Sequence, residues 1–574
     1  MPESVEFSEP PDSPRAHIAL RIIAQDPTVK GDDDKILTAT VKVPWARMED
    51  GPRGARFHVV DFDASTGKYL KHPGLPNDDA FADAQDRVLE TDFAFHAQQV
   101  YAAASKTLST FESALGRRLS WGFSGHQMYL VPHAFAEANA YYSYEDRALL
   151  FGYVPAGDGE PTYTCLSYDV VVHETAHAVL DGLRGRFLEP GLPDQAAFHE
   201  GFADIVALLS VFSMRPVVEQ ALGKADKDGR IKRRQVEREA LRASVLTGVA
   251  EQIGQVLSQG RGALRRSALT APPEDWAELP QFQEPHRRGE VLVAVVLDVL
   301  LDIWVKRLEP LLSPDQGSKV LTLDRARAAE EGAKAAAQLL NMLIRGLDYL
   351  PPVDFEFDDL LDAVLLADME LVPDDDLGYR DMLVARFEAV GVRRSRGRVT
   401  DVLEAEVPPH YLGFNFSALR ADRDEVFRFL WQNAFRLGVS MKHYTVVESV
   451  RPSQRIGPDG LIVAESVATY VQLLELSAGE LEGTSELAIP ESLDPATPLQ
   501  LLGGGTLVFD QFGRLKLHIH KNIDDWRRQL RRVEYLHRTG RSDTKRRLGF
   551  SDGAARGQTF AELHNTGLSS GEAW

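Results

Sequence analysis

The chain has 574 residues, which at roughly 100 to 200 residues per domain predicts about three or four folded units and excludes a single small module. Hydrophobic residues make up 44% and charged residues 26%, so each unit has enough apolar material for a core and a largely disordered chain is excluded. Lysine and arginine number 64 against 85 aspartates and glutamates, and the resulting net charge of −21 argues against nucleic acid or an anionic membrane as a partner.

Residues 1–35 are polar and contain several prolines, which predicts a flexible N-terminus. They lack the basic start and the apolar run of a secretory signal. No stretch reaches the roughly 18 uncharged apolar residues of a membrane helix, since Val291–Val305 is interrupted by Asp298 and Asp302. The only cysteine, Cys165, excludes an intramolecular disulfide and fits a reducing compartment. We therefore expect a cytoplasmic protein that does not contact a membrane.

Residues 36–183 are predicted to form a β-rich N-terminal lobe. Ile36–Val43 and Arg56–Asp63 have the β-branched and alternating character of strands. From about residue 92 to residue 115 apolar side chains recur at helical spacing, and Gly116 follows as the predicted end of a long amphipathic helix. The lobe ends with a further helix near residues 167–183.

The rest of the chain divides where its composition changes. Residues 184–392 are predicted to be a helical lobe, and the charged, proline-containing residues 393–412 a linker. Residues 413–550 combine one helical pattern with several strand patterns, which predicts a C-terminal α/β domain of unknown role. Residues 551–574 are rich in glycine and serine and are predicted to be a mobile tail.

The most informative segment is residues 169–180, which contains the pattern H-E-x-x-H between apolar residues and is predicted to be a buried helix. Residues four apart lie on one face of a helix, so the imidazoles of His173 and His177 can bind the same ion at about 2.0–2.1 Å. Glu174 is turned about 100° from His173, which aims its carboxylate at a water on the metal rather than at the metal itself. Glu174 is therefore a candidate general base.

A second helical segment, residues 198–204, places Glu200 and Asp204 four residues apart on one face. Glu200 would complete a His₂Glu zinc site with an open fourth position, and Asp204 can accept the free ring N–H of His173. The alternative is that both acids are solvated on a helix surface. The apolar residues that surround them favour zinc ligation.

Together the two segments resemble the thermolysin-like neutral zinc metallopeptidases, in which an HExxH helix and a following ExxxD helix share the metal. The resemblance implies an α+β fold with a β-rich N-terminal lobe and a helical C-terminal lobe. It also implies Zn²⁺ as the cofactor and a peptide or protein as the substrate. The match runs from about residue 90 to residue 392, so the C-terminal α/β domain is an addition.

The same resemblance implies a substrate-binding strand. Residues 139–142, Asn-Ala-Tyr-Tyr, are similar to the edge segment that pairs with the backbone of an extended substrate in this family. Asn139 and Ala140 are the candidate binding residues. The alternative is an ordinary edge strand.

Two further side chains are implied by the resemblance. Arg266 is similar to the family arginine that donates to a substrate carbonyl, with Arg265 as the second choice, and the alternative is a surface arginine in a salt bridge. His286 resembles the histidine that stabilises the oxyanion of the tetrahedral intermediate, and the alternative is a histidine already satisfied within the fold.

The chain also departs from the family pattern. The loop Asp181–Ala197 is a few residues longer than usual and contains Phe187 but no tyrosine, which leaves His286 as the principal oxyanion donor. Asp169 matches a calcium-binding carboxylate, but the residues after Asp204 lack the other acids of such a site, so a double calcium site is not predicted.

Three other features receive no functional role. His518 and His520 alternate on a strand that is predicted to be exposed. The basic run Arg527–Arg547 is predicted to be a solvated helix face, with docking of an acidic partner as the alternative. Cys165 lies too early in its segment to join the zinc set and is predicted to be a small buried apolar residue.

The sequence thus predicts a zinc-dependent endopeptidase, a hydrolase with Glu174 as general base. The alternative, from another class, is a weak or inactive zinc-stabilised scaffold that binds a protein partner through its C-terminal domain. Retention of Glu174 argues for the enzyme, because a scaffold has no physical need for a carboxylate beside the metal.

Overall fold

The computed structural model of the chain describes ten ranges of residues: 16–76, 79–155, 161–189, 191–244, 272–273, 275–314, 320–394, 399–401, 408–485 and 487–539. The fold is mixed α+β, with 45% helix and 22% strand. Arg266, Arg265 and the predicted tail 551–574 lie outside the described residues. No described helix has on its own the length and apolar character needed to cross a membrane, and the one pair that qualifies together is bent by 85°.

The N-terminal part combines short strands with one long helix. Its elements are β1 (His17–Ile23), β2 (Thr38–Pro44), β3 (Phe57–Val59), β4 (Asp61–Asp63), β5 (Lys68–Leu70), α1 (Asp86–Thr91), α2 (Phe93–Leu115), β6 (Met128–Phe135), β7 (Ala140–Ser143), β8 (Ala148–Val154) and β9 (Thr162–Tyr163). The prediction of a flexible N-terminus is wrong for β1, which pairs with β2 in antiparallel register. Ile18, Leu20 and Ile22 of β1 are buried, and this apolar face fixes the strand to the core.

One sheet carries the candidate substrate strand. Its strand order is β3-β6-β8-β7, with β3, β6 and β8 parallel and β7 antiparallel to β8. β7 is the last strand in this order, so the edge position predicted for residues 139–142 is confirmed for residues 140–142, which belong to β7. The helix predicted near residues 92–115 is also confirmed as α2, which is capped by the Asp92 side chain and ends at Gly116 with φ 66°.

The middle of the chain is mainly helical. Its elements are α3 (Tyr168–Leu183), α4 (Pro193–Phe212), α5 (Arg215–Ala221), β10 (Arg230–Lys232), α6 (Pro285–Leu308), β11 (Ser313–Pro314), β12 (Leu321–Asp324), α7 (Arg325–Gly346), α8 (Phe357–Leu371) and α9 (Tyr379–Ala389). α4 and α6 cross at two glycines, because a Cβ on Gly201 would lie 2.9 Å from the carbonyl oxygen of Gly289. Only glycine permits so close an approach of the two backbones.

The C-terminal part is built on a five-stranded antiparallel sheet. Its elements are β13 (Val399–Asp401), α10 (Arg423–Asn433), β14 (Tyr444–Ile456), β15 (Ile462–Ser477), α11 (Ala478–Ser485), β16 (Pro498–Phe509), β17 (Leu515–Lys521) and α12 (Trp526–Arg538). The strand order is β13-β17-β16-β15-β14. β13 lies within the predicted linker 393–412 and pairs with β17, so this part of the linker belongs to the sheet.

The C-terminal sheet packs directly on the rest of the molecule. Three of its side chains belong to the same buried apolar cluster as the helical lobe: Val508, Leu517 and Ile519. Tyr349 donates its hydroxyl to Glu465 at 2.7 Å, and Arg451 donates to the carbonyl oxygen of Leu183, the last residue of α3, at 2.6 Å. The sheet therefore satisfies a backbone carbonyl at the C-terminus of α3.

Two expectations about the C-terminal part are wrong. His518 is fully buried rather than exposed, and its Nε2 lies 2.9 Å from the hydroxyl of Tyr470. The basic run is not simply a solvated helix face, because Arg528 and Arg532 of α12 are buried and both pair with Asp354. Periodicity alone could not show this, since the partner carboxylate lies more than 170 residues earlier in the chain.

Candidate metal centre

The helix α3 presents two histidines on one buried face. His173 and His177 are 6% and 0% exposed, and their Nε2 atoms lie 2.9 Å apart. All residues of the helix except Gly182 are buried, so packing of α3 in the core fixes the direction of both rings. The spacing of four residues therefore produces the paired arrangement that the sequence predicts.

The helix α4 supplies a third ligand atom at the same point. Glu200 places Oε2 3.5 Å from His173 Nε2 and Oε1 3.5 Å from His177 Nε2. One ligand atom from each residue falls within 4.8 Å of the other two, and all three residues are buried. Two imidazoles and one carboxylate are the donor set of catalytic zinc sites, which leave a fourth position open. The residues thus fit a zinc ion.

In both histidines, the ring nitrogen that points away from the ligand position has a hydrogen-bond partner. Asp204 Oδ1 lies 2.9 Å from His173 Nδ1, as expected from the sequence, and His199 Nδ1 lies 2.9 Å from His177 Nδ1. Burial alone would lower the pKa of His173, but the hydrogen bond and charge of Asp204, with Glu200 and Glu174, raise it to about 10. The pocket is therefore strongly favourable for a positive charge between these groups.

His199 has a role that sequence reasoning did not find. Burial, followed by the neighbouring His177, lowers the pKa of His199 well below its usual value, so its ring is neutral. A neutral His199 can accept a hydrogen bond from His177 Nδ1–H, which places the lone pair of the His177 ring on Nε2, the atom that faces the other ligands. The sequence could not indicate this role, because His199 and His177 lie on different helices and meet only in the folded chain.

Glu174 is fully buried beside the ligand pair. Its Oε2 accepts a hydrogen bond from the backbone nitrogen of Tyr142, at 3.2 Å. Tyr142 belongs to β7, so the edge strand and the carboxylate are in direct contact. Asn139 and Ala140, at the start of the same strand, are 7% and 1% exposed.

His286 lies beside Glu200, in the first turn of α6. Its Nε2 is 3.9 Å from Glu200 Oε2, and its Nδ1 is 2.6 Å from Glu284 Oε1. Glu284 also caps α6, since its carboxylate accepts from the backbone nitrogens of His286 and Arg287. Burial alone would lower the pKa of His286, but the hydrogen bond that it donates to Glu284 and the charge of Glu200 raise it.

The long loop between α3 and α4 does not leave Phe187 in the cleft. Residues 185–188 form a short 3-10 helix, and the ring of Phe187 packs against Phe198 and Phe355 with centroids 5.7 and 4.5 Å away. Phe187 is 1% exposed and is a core residue. Phe187 is therefore too buried to contact a substrate, and the sequence of the loop contains no tyrosine that could do so in its place.

Comparison with known proteins adds no family assignment. No protein-family model matches the chain, and a search of curated proteins gave no significant match.

Proposed function

We propose that the protein is a zinc-dependent endopeptidase with the two-lobed arrangement of the thermolysin-like enzymes. The observation that carries the proposal is the convergence of His173, His177 and Glu200 on one buried point, with Glu174 and His286 beside them. This set offers three ligands, which leaves a fourth position for water, and it places two proton-transferring groups next to that position. The substrate class is a peptide or protein, and the cytoplasm is the proposed location.

Zn²⁺, when bound, would polarise the scissile carbonyl and acidify a water molecule. Glu174 takes the proton of that water and later delivers it to the leaving amine. His286, kept protonated by Glu284, donates a hydrogen bond to the developing oxyanion. Asp204 and His199 hold the ligand rings in the required tautomers.

Substrate binding is assigned to β7 and to Arg266. The contact between Tyr142 and Glu174 supports an extended substrate running along β7, which would place its scissile bond beside the general base. Asn139 and Ala140 would then contact the substrate backbone. Arg266 keeps its proposed role as a donor to a substrate carbonyl from the sequence resemblance alone.

The test is cleavage of casein by the purified chain, with and without a zinc chelator, beside Glu174→Gln. We expect wild type to cleave, the chelator to stop cleavage, and the variant to bind zinc but to lose roughly 10²–10⁴-fold in rate. Zinc content measured on the same samples separates loss of the base from loss of the metal. A wild-type chain that binds zinc and cleaves no peptide would contradict the proposal.

The scaffold alternative has one supporting observation. Large apolar side chains are exposed in the C-terminal part, and Phe435, at 95%, and Trp431, at 57%, lie together at the end of α10. Exposed aromatic side chains of this kind are typical of protein contacts. If wild type binds zinc but does not cleave casein, this surface becomes the main candidate for function.

A further inference from the structure

A second cluster of buried, ligand-type side chains lies in the N-terminal lobe. His96 is on α2, His133 is on β6, and Cys165 is on the short 3-10 helix just before α3. The three residues are 0, 3 and 0% exposed, and one ligand atom from each lies within 4.8 Å of the other two. The proposed peptidase reaction uses none of them.

In each ring, one nitrogen faces the other histidine (the inner nitrogen) and one points away from it (the outer nitrogen). A hydrogen bond to an acceptor shows that each outer nitrogen carries a proton. His96 Nε2 lies 2.9 Å from the backbone carbonyl oxygen of Glu90, which can only accept, so this nitrogen carries a proton. His133 Nδ1 lies 2.9 Å from Asp61 Oδ1. A carboxylate can only accept, so Asp61, which also lies 2.6 Å from His72 Nε2, accepts from His133 Nδ1.

The inner nitrogens of the two rings face each other. His96 Nδ1 and His133 Nε2 are 2.8 Å apart, and in neutral rings with protonated outer nitrogens both carry lone pairs. Two facing lone pairs repel unless a cation lies between them. The Nε2 atoms of His173 and His177 have the same arrangement at 2.9 Å.

The third donor and the surroundings indicate the kind of cation. Imidazole and thiolate together suit zinc and other borderline-to-soft transition metals. A divalent ion with one thiolate keeps one positive charge, which Asp61 balances through His133. The rings of Phe93 and Tyr163 lie 4.4 and 5.1 Å from the His133 ring, so aromatic side chains cover this side of the cluster.

We propose that His96, His133 and Cys165 bind a second zinc ion with a structural role. The Cys165 thiol loses its proton to solvent as the zinc–sulfur bond forms, so binding releases one proton. Tetrahedral coordination separates the two nitrogens by about 3.3 Å, which requires only a small outward movement of the rings. The ion ties α2 and β6 to the segment that leads into α3, the helix that carries His173 and His177.

The presence of a single cysteine makes the proposal directly testable in the full chain. Replacement of zinc by Co²⁺ should produce a thiolate-to-cobalt charge-transfer absorption, which only Cys165 can give because the sequence contains no other cysteine. His177→Ala, which removes a ligand from the first site, should keep this absorption. Cys165→Ser should lose it while keeping the d–d absorption of cobalt at the first site.

Metal counting gives the second readout. We expect about two zinc ions per chain in wild type after dialysis against buffered zinc, and about one in either His177→Ala or Cys165→Ser. Circular dichroism of each variant checks that it is folded, and the wild-type cobalt spectrum needs no variant at all. One zinc per chain and no thiolate absorption in wild type would overturn the proposal and leave a shared proton between His96 and His133. Neither readout depends on peptide cleavage, so failure of the peptidase proposal would be seen separately.

Discussion

The two buried histidine pairs differ in what surrounds them rather than in their inner geometry. In both, ring nitrogens face each other at 2.8–2.9 Å and an acceptor holds each outer nitrogen. The pair on α3 is joined by a carboxylate ligand and has Glu174 and His286 beside it. The pair formed by His96 and His133 is joined by a thiol and covered by aromatic rings.

The different surroundings favour different roles for the two histidine pairs. A water at an open position reacts only if a base can take its proton and a donor can stabilise the product charge. The first pair has both groups, whereas the described neighbours of the second offer a carboxylate, Asp61, that is already bonded to two histidines. We therefore assign catalysis to the first and stabilisation to the second.

Replacing one ligand-type residue in each cluster should affect peptide cleavage very differently. His177→Ala should abolish casein cleavage, because the first site loses a metal ligand. Cys165→Ser should keep cleavage within about tenfold of wild type at 25 °C but unfold at a lower temperature, since a bound structural ion stabilises the native state. Cleavage assays and thermal unfolding of both variants are the measurements, and equal loss of activity in both would break the distinction.

The next effect tests the donor beside the first pair. His286→Gln should lower kcat by roughly 10²–10³-fold, because the oxyanion loses its hydrogen-bond donor. Zinc content should stay at the wild-type value, since His286 is not a ligand. His126→Gln, at an exposed histidine, is the matched control and should change neither quantity. A wild-type kcat in His286→Gln would contradict the proposed role.

A third buried cluster consists of one aspartate and two arginines and includes no residue of either proposed metal site. Asp348 is buried against Arg117 and Arg455, with Arg117 Nη2 2.6 Å from Oδ1. Burial alone would raise the pKa of Asp348, but Arg117 and Arg455 lower it to about 2. Because the folded-state pKa is depressed, the cluster stabilises the fold above about pH 4 and loses this contribution as the pH falls towards 2.

Asp348→Asn should therefore destabilise the chain by about 3 kcal/mol at neutral pH, because it leaves buried guanidinium groups without their carboxylate. Urea unfolding with and without a zinc chelator measures the effect. The chelator should lower the stability of wild type and variant by the same amount. A destabilisation that disappears in the chelated protein would show that this cluster and the metal sites are coupled.

The smallest effect is a shift in pH dependence. Glu284 raises the pKa of His286, so the protonated donor persists above the usual range of a histidine and activity falls as the pH rises through this raised pKa. Glu284→Gln should move the basic limb of the kcat/KM profile to lower pH by about one unit. Glu278→Gln, an exposed neighbour, is the control. An unmoved basic limb would assign that limb to another group.

Local patterns were sufficient to predict the parts of the first site that lie on single helices. The spacing of His173 and His177, and that of Glu200 and Asp204, fixes which side chains share a helix face, and the structure brings these two faces together. The same logic predicted the long helix α2, whereas the position of β7 at the sheet edge was implied by the family resemblance.

Contacts between distant segments could not be predicted in this way. His96, His133 and Cys165 come from three elements, and no spacing in the sequence connects them. The burial of His518 and of Arg528 likewise depends on partners far away in the chain, Tyr470 and Asp354. A lone cysteine was interpreted as an apolar residue because its histidine neighbours are visible only in three dimensions.

The hydrogen bond from Arg451 to the last carbonyl of α3 has a consequence for modularity. The C-terminal sheet caps the very helix that carries His173 and His177, and it shares a continuous core with the helical lobe. The part of the chain before residue 393 is therefore not an interchangeable unit to which the C-terminal part was simply attached. Exchange or removal of the C-terminal part would uncover apolar surface and release the C-terminal end of α3, so the two parts are expected to be inherited and to unfold together.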